Sequence, residues 1–464
     1  MNRRLDTPTM DDLHVAGGPA ASAIDPSWKP DAEDESWRSR AHAAIPGGCH
    51  TAAKGDDQYP ATAPAFIARG QGCHIWDHQG RKYIEYAPGL RSVTLGHAWP
   101  SVVQAAHEAM QAGLNFNRPT RLEVQCAERF LELVPTAEMV KFTKDGSTVM
   151  TAALKLARAH TGRDLVAICS ASPFFSYDDW FIGTTTIDSG IPQVIKDLTL
   201  RFTFNDIDSL SRLFDQYPGR IAAVMLEPAR TEEPRPGFLA QVRELTRRHG
   251  AVLVFDETIT GFRWHRHGAQ HLYGVTPDLS CFGKAMGNGF SISALAGCRE
   301  LMQLGGLHHK HAPRVFLLST THGAESVSLA AACETMRIFR DEPVTDHLHA
   351  MGEALRTGLT QIIATHGLEA QIKLSGRGCS LVFATLDADG QPSQPMRTLF
   401  LQEMIARGVL APSLLTTYSH TREDIDATLA AADGALAVYR RALDEGVENF
   451  LIGPASASAY RAYN

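Results

Sequence analysis

Two short stretches hold residues whose types and spacing could do chemistry. The apolar run 252–255 ends in Asp256 and Glu257. Lys284 follows Asp256 by 28 residues and stands between Gly283 and the glycine-rich turn Gly287-Asn-Gly289. A short apolar run of this kind reads as a strand buried on both faces. In open α/β sheets, ligands bind at the carboxyl ends of such strands. A lysine flanked by small residues can turn its amine inward, where its most useful chemistry is a Schiff base with a carbonyl. On these residues alone a capped strand end and a solvated turn remain open readings.

Positioning a lysine against a carboxylate from a distant segment requires a scaffold, and the rest of the chain predicts one. Expected strands at 165–169, 221–227 and 252–255 alternate with helical stretches such as 239–249. That rhythm predicts a mostly parallel sheet with helical crossovers, an α/β fold. Upstream, helices are predicted over 36–44, 101–112 and 122–133, with strand, turn and strand between 65 and 85. A strong helix over 149–160 follows Lys144-Asp-Gly-Ser-Thr148, which puts a small-residue turn on a helix N-terminus. Free backbone N–H groups and the positive dipole end make that a ready anion site. From about Thr345 the pattern changes to a long helix over 347–366, strands near Leu374 and Leu381, and helices over 396–407 and 422–445.

Bulk properties narrow the function classes. At 464 residues, two domains are expected. Hydrophobic residues make up 44% and charged residues 20%, as in ordinary globular proteins. A net charge of −7 without a large basic block argues against a nucleic-acid partner. No apolar run is long enough to span a bilayer, and the first residues lack the apolar core of a signal peptide. Eight scattered cysteines, never in a CxxC pair, suggest reduced thiols and a cytoplasmic location. His308, His309 and His311 cluster in a glycine-rich loop without a third-ligand partner at helical spacing, so no metal is expected. Residues 1–33, rich in Ala, Pro, Gly and Asp, are expected to form a mobile arm.

Three segments together resemble the signature of class III aminotransferases, fold-type I enzymes that use pyridoxal 5'-phosphate (PLP). The likeness is closest to the glutamate-1-semialdehyde 2,1-aminomutase branch. The segments are Phe255-Asp-Glu-Thr-Ile-Thr-Gly-Phe-Arg263, Tyr273-Gly-Val-Thr-Pro-Asp-Leu279 and Gly283-Lys-Ala-Met-Gly-Asn-Gly289. The resemblance spans about 36–445. It implies a large PLP-binding domain over 96–344 and a small α+β domain from 34–95 together with 345–464. It makes Lys284 the Schiff-base lysine and proton shuttle, and Asp256 the carboxylate against the pyridinium nitrogen. Thr258 would lie against one ring face and Phe174 against the other, where relatives carry a tyrosine. Gly146 and Ser147 match the phosphate loop; Asp145 replaces a commoner serine and is expected to point away. Glu232 takes the place of a residue near the cofactor's phenolic oxygen. Thr320 matches a threonine lent to the neighbouring subunit's phosphate, which implies a homodimer with shared active sites.

The substrate segments depart from the aminomutase pattern. Relatives hold the substrate carboxylate with an arginine in an N-terminal loop, where this chain reads Cys49-His-Thr-Ala-Ala-Lys54. A lysine is a point charge, not a planar fork. Arg91 and Arg118 are the other cations in segments that border the site in relatives. These differences favour transfer of an amine from an amino-acid donor to a separate carbonyl acceptor, such as an aldehyde or keto sugar. Aminomutase-type intramolecular transfer is the alternative; a catalytically inactive binding protein on the same fold is a third reading, opposed by the intact Lys284 and Asp256.

Overall fold

A computed structural model describes residues 32–170, 172, 174–308 and 314–457. The arm predicted over 1–33 therefore lies outside the described residues up to 31, as do His309 and His311. Residues 32 and 33 instead open a helix, α1 (Ala32–Ala44).

Seven strands form the central sheet: β4 (Met139–Thr143), β5 (Leu165–Cys169), β6 (Thr199–Phe202), β7 (Ile221–Leu226), β8 (Val252–Asp256), β9 (Leu279–Phe282) and β10 (Ser293–Gly297). Their order is β4-β10-β9-β8-β7-β5-β6, and β10 alone pairs antiparallel with its neighbours. Every residue of β5, β7 and β8 is buried, as continuous apolar runs predict for strands covered on both faces. Alternation divides them between two cores. Val166, Val252 and Val254 pack with α4 (Gly146–Thr161), while Leu165, Leu253 and Phe255 pack on the other side with α5 (Ile207–Gln216) and α6 (Phe238–His249).

A second sheet joins distant parts of the chain. β1 (Ile67–Gln71), β2 (His74–Asp77) and β3 (Lys82–Glu85) form an antiparallel meander. Further along, β13 (Val409–Leu410) lies parallel to β3, with Val409 opposite Ile84. Tyr86 then packs in a core built mainly by α8 (Val344–Thr365), α9 (Gln394–Ala406) and α10 (Arg422–Glu445). The hairpin β11 (Ile372–Ser375) and β12 (Val382–Thr385) covers part of it. A third layer is made by α2 (Pro100–Ala112), α3 (Arg121–Leu133) and α7 (Ser326–Asp341), which pack together. The helices expected from periodicity are present within a few residues of their predicted ends; α5 and α7 were not anticipated.

Candidate active site

The site is a product of strand order. β8 and β9 are parallel neighbours, and Asp256, the last residue of β8, lies opposite Cys281. Lys284 follows β9 by two residues, so both chemical groups emerge at one edge of the sheet. Lys284 sits in the left-handed region, with φ 43°, which a lysine adopts only where its surroundings hold it. Asn288, itself at φ 44°, braces the same turn. Its side-chain carbonyl accepts the N–H groups of Thr94 and Leu95 at 3.0 and 2.9 Å, and its amide donates to the Gly96 carbonyl at 3.0 Å.

Burial governs the ionisation of both groups. Asp256 is 4% exposed, and desolvation pushes its carboxyl upward. The N–H of Thr258 at 2.9 Å and the Lys284 ammonium restrain that rise. Desolvation moves the Lys284 amine the other way, below the ordinary lysine range, with Asp256 pulling it partly back. The amine is thereby closer to its nucleophilic form near neutrality. Glu257, the other carboxylate of the motif, points elsewhere. It is fully buried and accepts the backbone N–H groups of Ala269 at 2.9 Å and Gln270 at 2.7 Å, together with the Thr260 hydroxyl. Its role is to tie the 257–270 segment together.

The predicted anion site lies against the same edge. Asp145 caps α4; its carboxylate accepts the Thr148 N–H at 2.8 Å and the Thr148 hydroxyl, so it is engaged as the cap. The N–H groups of Gly146 and Ser147 in the first turn have no helical partner to meet. A β-carbon on Gly146 would lie 3.3 Å from the Thr258 methyl, and one on Gly283 equally close. Small residues there let three segments meet around Thr258. The Thr258 hydroxyl is buried beside the Asp256 carboxylate and makes no hydrogen bond of regular geometry among the described residues. A buried polar atom left this way costs free energy unless a ligand satisfies it.

One further carboxylate was not anticipated at the site. β7 is the other parallel neighbour of β8, and Glu227 follows it. Glu227 is 5% exposed; desolvation raises its pKa to about 7, and the charge of Asp256 adds to the rise. Arg230, at 3.2 Å, Lys284 and Arg91 lower it in part. The Glu-Pro pair at the end of an apolar run was the available signal, because neighbouring strand ends share one edge.

The other predicted residues fall into two groups. Lys54, Arg91 and Lys284 line one cavity of about 750 Å³. Arg91 belongs to a left-handed run with Ala87, Gly89 and Leu90, at φ 54° to 76°. Arg118 is exposed and is not on this cavity's wall. Glu232 is also exposed and accepts the Asn205 amide at 2.7 Å. Phe174 is half-exposed and meets Phe181 edge-on at 5.9 Å. Thr320 is exposed. Elsewhere, Cys73, His74 and Asp424 converge, but they already bond to one another: His74 to Asp424 at 3.0 Å and the Cys73 thiol to Asp424 at 3.4 Å.

A parallel-sheet edge that presents a depressed lysine, a buried aspartate and a helix N-terminus fits a phosphate-bearing aldehyde cofactor. The family comparison agrees: residues 55–414 match aminotransferase class III, and the chain belongs to that family of PLP-dependent enzymes. Among its relatives, the glutamate-1-semialdehyde 2,1-aminomutase of Syntrophobacter fumaroxidans is 32% identical over 416 residues, covering 84% of this chain and 94% of the relative. The FumI protein of Sphingopyxis sp. MTA144, solved as its PLP internal aldimine form, is similar with a TM-score of 0.82 and 30% identity. That match covers 89% of this chain and 98% of FumI. An omega-transaminase from Sphaerobacter thermophilus has a TM-score of 0.79 at 28% identity, covering 89% of this chain and 99% of that one. The fold is fold-type I, with the mostly parallel sheet predicted.

Proposed function

We propose that the protein moves an amino group from an amino-acid donor to a separate carbonyl acceptor. The observation that carries this reading is the convergence of Lys284, Asp256 and the buried Thr258 hydroxyl at one sheet edge. Bound PLP supplies an electron sink and a carbonyl carbon that an amine can attack. Asp256 holds the proton on the cofactor's ring nitrogen, because an opposite charge close by offsets the cost of burying a cation. Lys284 Nζ would hold the cofactor and would take and return the proton of the substrate carbon. The N–H groups of Gly146 and Ser147 would hold the phosphate, joined by Thr320 of the partner subunit. Thr258 and Phe174 would be the residues against the cofactor's ring. For Glu232 to reach the phenolic oxygen, its carboxylate must leave Asn205.

Lys54 and Arg91 are the cations proposed to meet substrate. Intermolecular transfer is favoured over the aminomutase reaction because an exposed lysine replaces the arginine that relatives use as a carboxylate fork. Residues 34–95 and 345–464 are proposed as a small domain beside the large one, 96–344; the parallel pair β3 and β13 supports that division. A homodimer is supported by the apolar surface near Thr320: Leu114 and Phe116 are exposed, and the Asn115 amide donates to the Thr321 carbonyl at 3.0 Å. Eight free cysteines are consistent with a cytoplasmic location.

The test uses the purified, PLP-loaded protein. Glutamate or a related amino acid should bleach the cofactor's visible band with no acceptor present, and glutamate-1-semialdehyde should be a poor substrate. Rapid conversion of the semialdehyde to 5-aminolevulinate without a donor would reverse the ranking. Borohydride should fix the cofactor on Lys284; mass spectrometry placing it on another lysine refutes the assignment.

A further inference from the structure

We propose that Cys73, His74 and Asp424 form a binding site for one divalent cation of the zinc class, a structural site that lies behind the active-site wall. It is independent of the aminotransferase reading above.

Geometry is the first argument. One possible ligand atom from each residue lies within 4.8 Å of the other two. The Cys73 sulfur is 3.4 Å from Asp424 Oδ2 and 3.7 Å from His74 Nδ1, and His74 Nε2 is 3.0 Å from Asp424 Oδ1. Zinc bound tetrahedrally at roughly 2.0–2.3 Å holds its ligand atoms about 3.3–3.7 Å apart. All three pairs stand within about 0.3 Å of that spacing. The imidazole offers either of its two nitrogens, and one is enough. Sulfur with imidazole selects zinc and its transition-metal neighbours, whereas magnesium and calcium need oxygen ligands.

The second argument is that the ligands are held from outside the cluster. Cys73 is 2% exposed and stands in the turn between β1 and β2. Asp424 lies in the first turn of α10, where its Oδ2 accepts the Thr421 N–H and the Thr421 hydroxyl, each at 2.9 Å. Such partners orient a ligating carboxylate. His420 supplies a further sign. It is fully buried, and its Nδ1 accepts the Thr417 N–H at 2.9 Å, which puts the proton of the neutral ring on Nε2. That N–H has no hydrogen-bond partner among the described residues, and Asp424 and His74 are close enough to act on it electrostatically. His420 is therefore a donor and not a fourth ligand. A water completing the metal's coordination would supply the acceptor it lacks.

Charge is the third. Binding exchanges a proton for the cation: the Cys73 S–H bond breaks, a sulfur–metal bond forms, and the proton leaves to solvent. The hydrogen bond that this proton now makes to Asp424 gives way to a shared metal. One thiolate and one carboxylate cancel the two charges of the cation, so the cluster ends neutral. The side chains of His74 and Asp424 keep 22% and 12% exposure, enough for solvent to reach the open position.

The site would join residues 351 apart in sequence, which is why no spacing announced it. The Cys73 carbonyl accepts the Glu85 N–H at 2.8 Å. Gly72 exchanges two backbone hydrogen bonds with His97, at 2.9 and 2.7 Å. Glu85 and His97 line the cavity beside Lys284, so a metal at Cys73 braces that wall from behind.

The experiment uses the untagged, PLP-loaded protein, dialysed against a chelator and then brought to equilibrium with zinc. Atomic absorption reads zinc per chain, and the thermal midpoint is taken with zinc, with magnesium and with neither. The expected result is one tightly held zinc per chain and a midpoint raised by zinc but not by magnesium. His74→Gln leaves the Asp424 cap on α10 in place. It should weaken zinc by about 100-fold or more and abolish the zinc-dependent rise, with the zinc-free midpoint close to the parent's. Cys73→Ser should also lose the tight zinc. Cys298→Ser, at a partly exposed thiol elsewhere, should change neither reading and controls for zinc on other cysteines. Uptake of no zinc, equal effects of zinc and magnesium, or parental zinc binding in both His74→Gln and Cys73→Ser would each overturn the site. The aminotransferase reading stands or falls separately, on the bleaching of the cofactor's band by an amino acid.

Discussion

Asp256 and Glu227 are buried carboxylates at adjacent strand ends, yet their chemistry should differ. In the proposed role Asp256 faces a cationic ring, so Asp256→Asn would remove the charge that keeps the ring protonated. Activity is expected to drop about 100-fold or more, within the span of positioned proton-holding groups, with the protein still folded. Steady-state kinetics beside circular dichroism separate the two effects. Glu227 is held near pKa 7 mainly by desolvation. A carboxyl whose folded pKa is raised contributes stability that is fully present below its unfolded value, near 4.5, and lost as pH rises through about 7. Glu227→Gln should therefore leave the cofactor-free protein's stability almost unchanged near pH 4. At pH 8 it should be stabilised by up to about 3 kcal/mol, with the gain developing between pH 4.5 and 7. Urea unfolding at several pH values reads this directly. A destabilised variant at pH 8 would mean that the charged form is the better-held one.

At the scale of elements, short connections do most of the positioning. The turn after β8 must release Asp256 toward the site while burying Glu257, and it does so by giving Glu257 two backbone donors and a hydroxyl. Glu257→Gln turns one acceptor oxygen into an N–H₂ that faces donors. It is expected to cost about 1–3 kcal/mol, seen as a lower urea midpoint. Arg263 does comparable work between segments. It is fully buried, donating to the carbonyls of Cys379 and Thr416 at 3.1 and 3.2 Å and to the Thr94 hydroxyl at 3.1 Å. Burial, with the Arg91 charge adding to it, draws its pKa down to about 10, still protonated at neutrality. The left-handed residues Ala87, Leu90 and Arg91 are the costlier device. Backbone strain of about 1–3 kcal/mol per residue persists only where packing over-determines it, and here it turns Arg91 onto the cavity wall.

The whole molecule brings the ends of the chain together around the site. β13 completes the sheet begun by β1, β2 and β3, so the cavity is walled both by the 41–91 region and by Leu410 and Pro412. Exposed Leu114 and Phe116 lie beside the Thr320 segment, where the proposed partner subunit would sit. Phe116→Asp is expected to shift the sedimentation coefficient from dimer to monomer and to lower PLP occupancy together. A monomer that keeps full occupancy would contradict the shared phosphate site.

Much of this was legible in sequence, for local reasons. The helices α2, α3, α4, α6 and α10 carry apolar spacing over at least three turns, and β5, β7 and β8 are unbroken apolar runs; both patterns are written in consecutive residues. The Lys284 and Asp256 pairing was also readable, through a spacing that a resemblance supplied. Several short strands were not, β9 and β13 among them. β9 has a serine among four residues, and β13 is two residues long, so each is a strand only because its neighbours supply the ladder. Nor did sequence place Glu227 in the site, or leave Glu232 and Arg118 off the cavity wall. Those outcomes depend on which strand lies beside which. The order β9-β8-β7 brings residues 284, 256 and 227 to one edge because parallel strands joined by crossovers align their carboxyl ends, and that alignment exists only once the sheet is assembled.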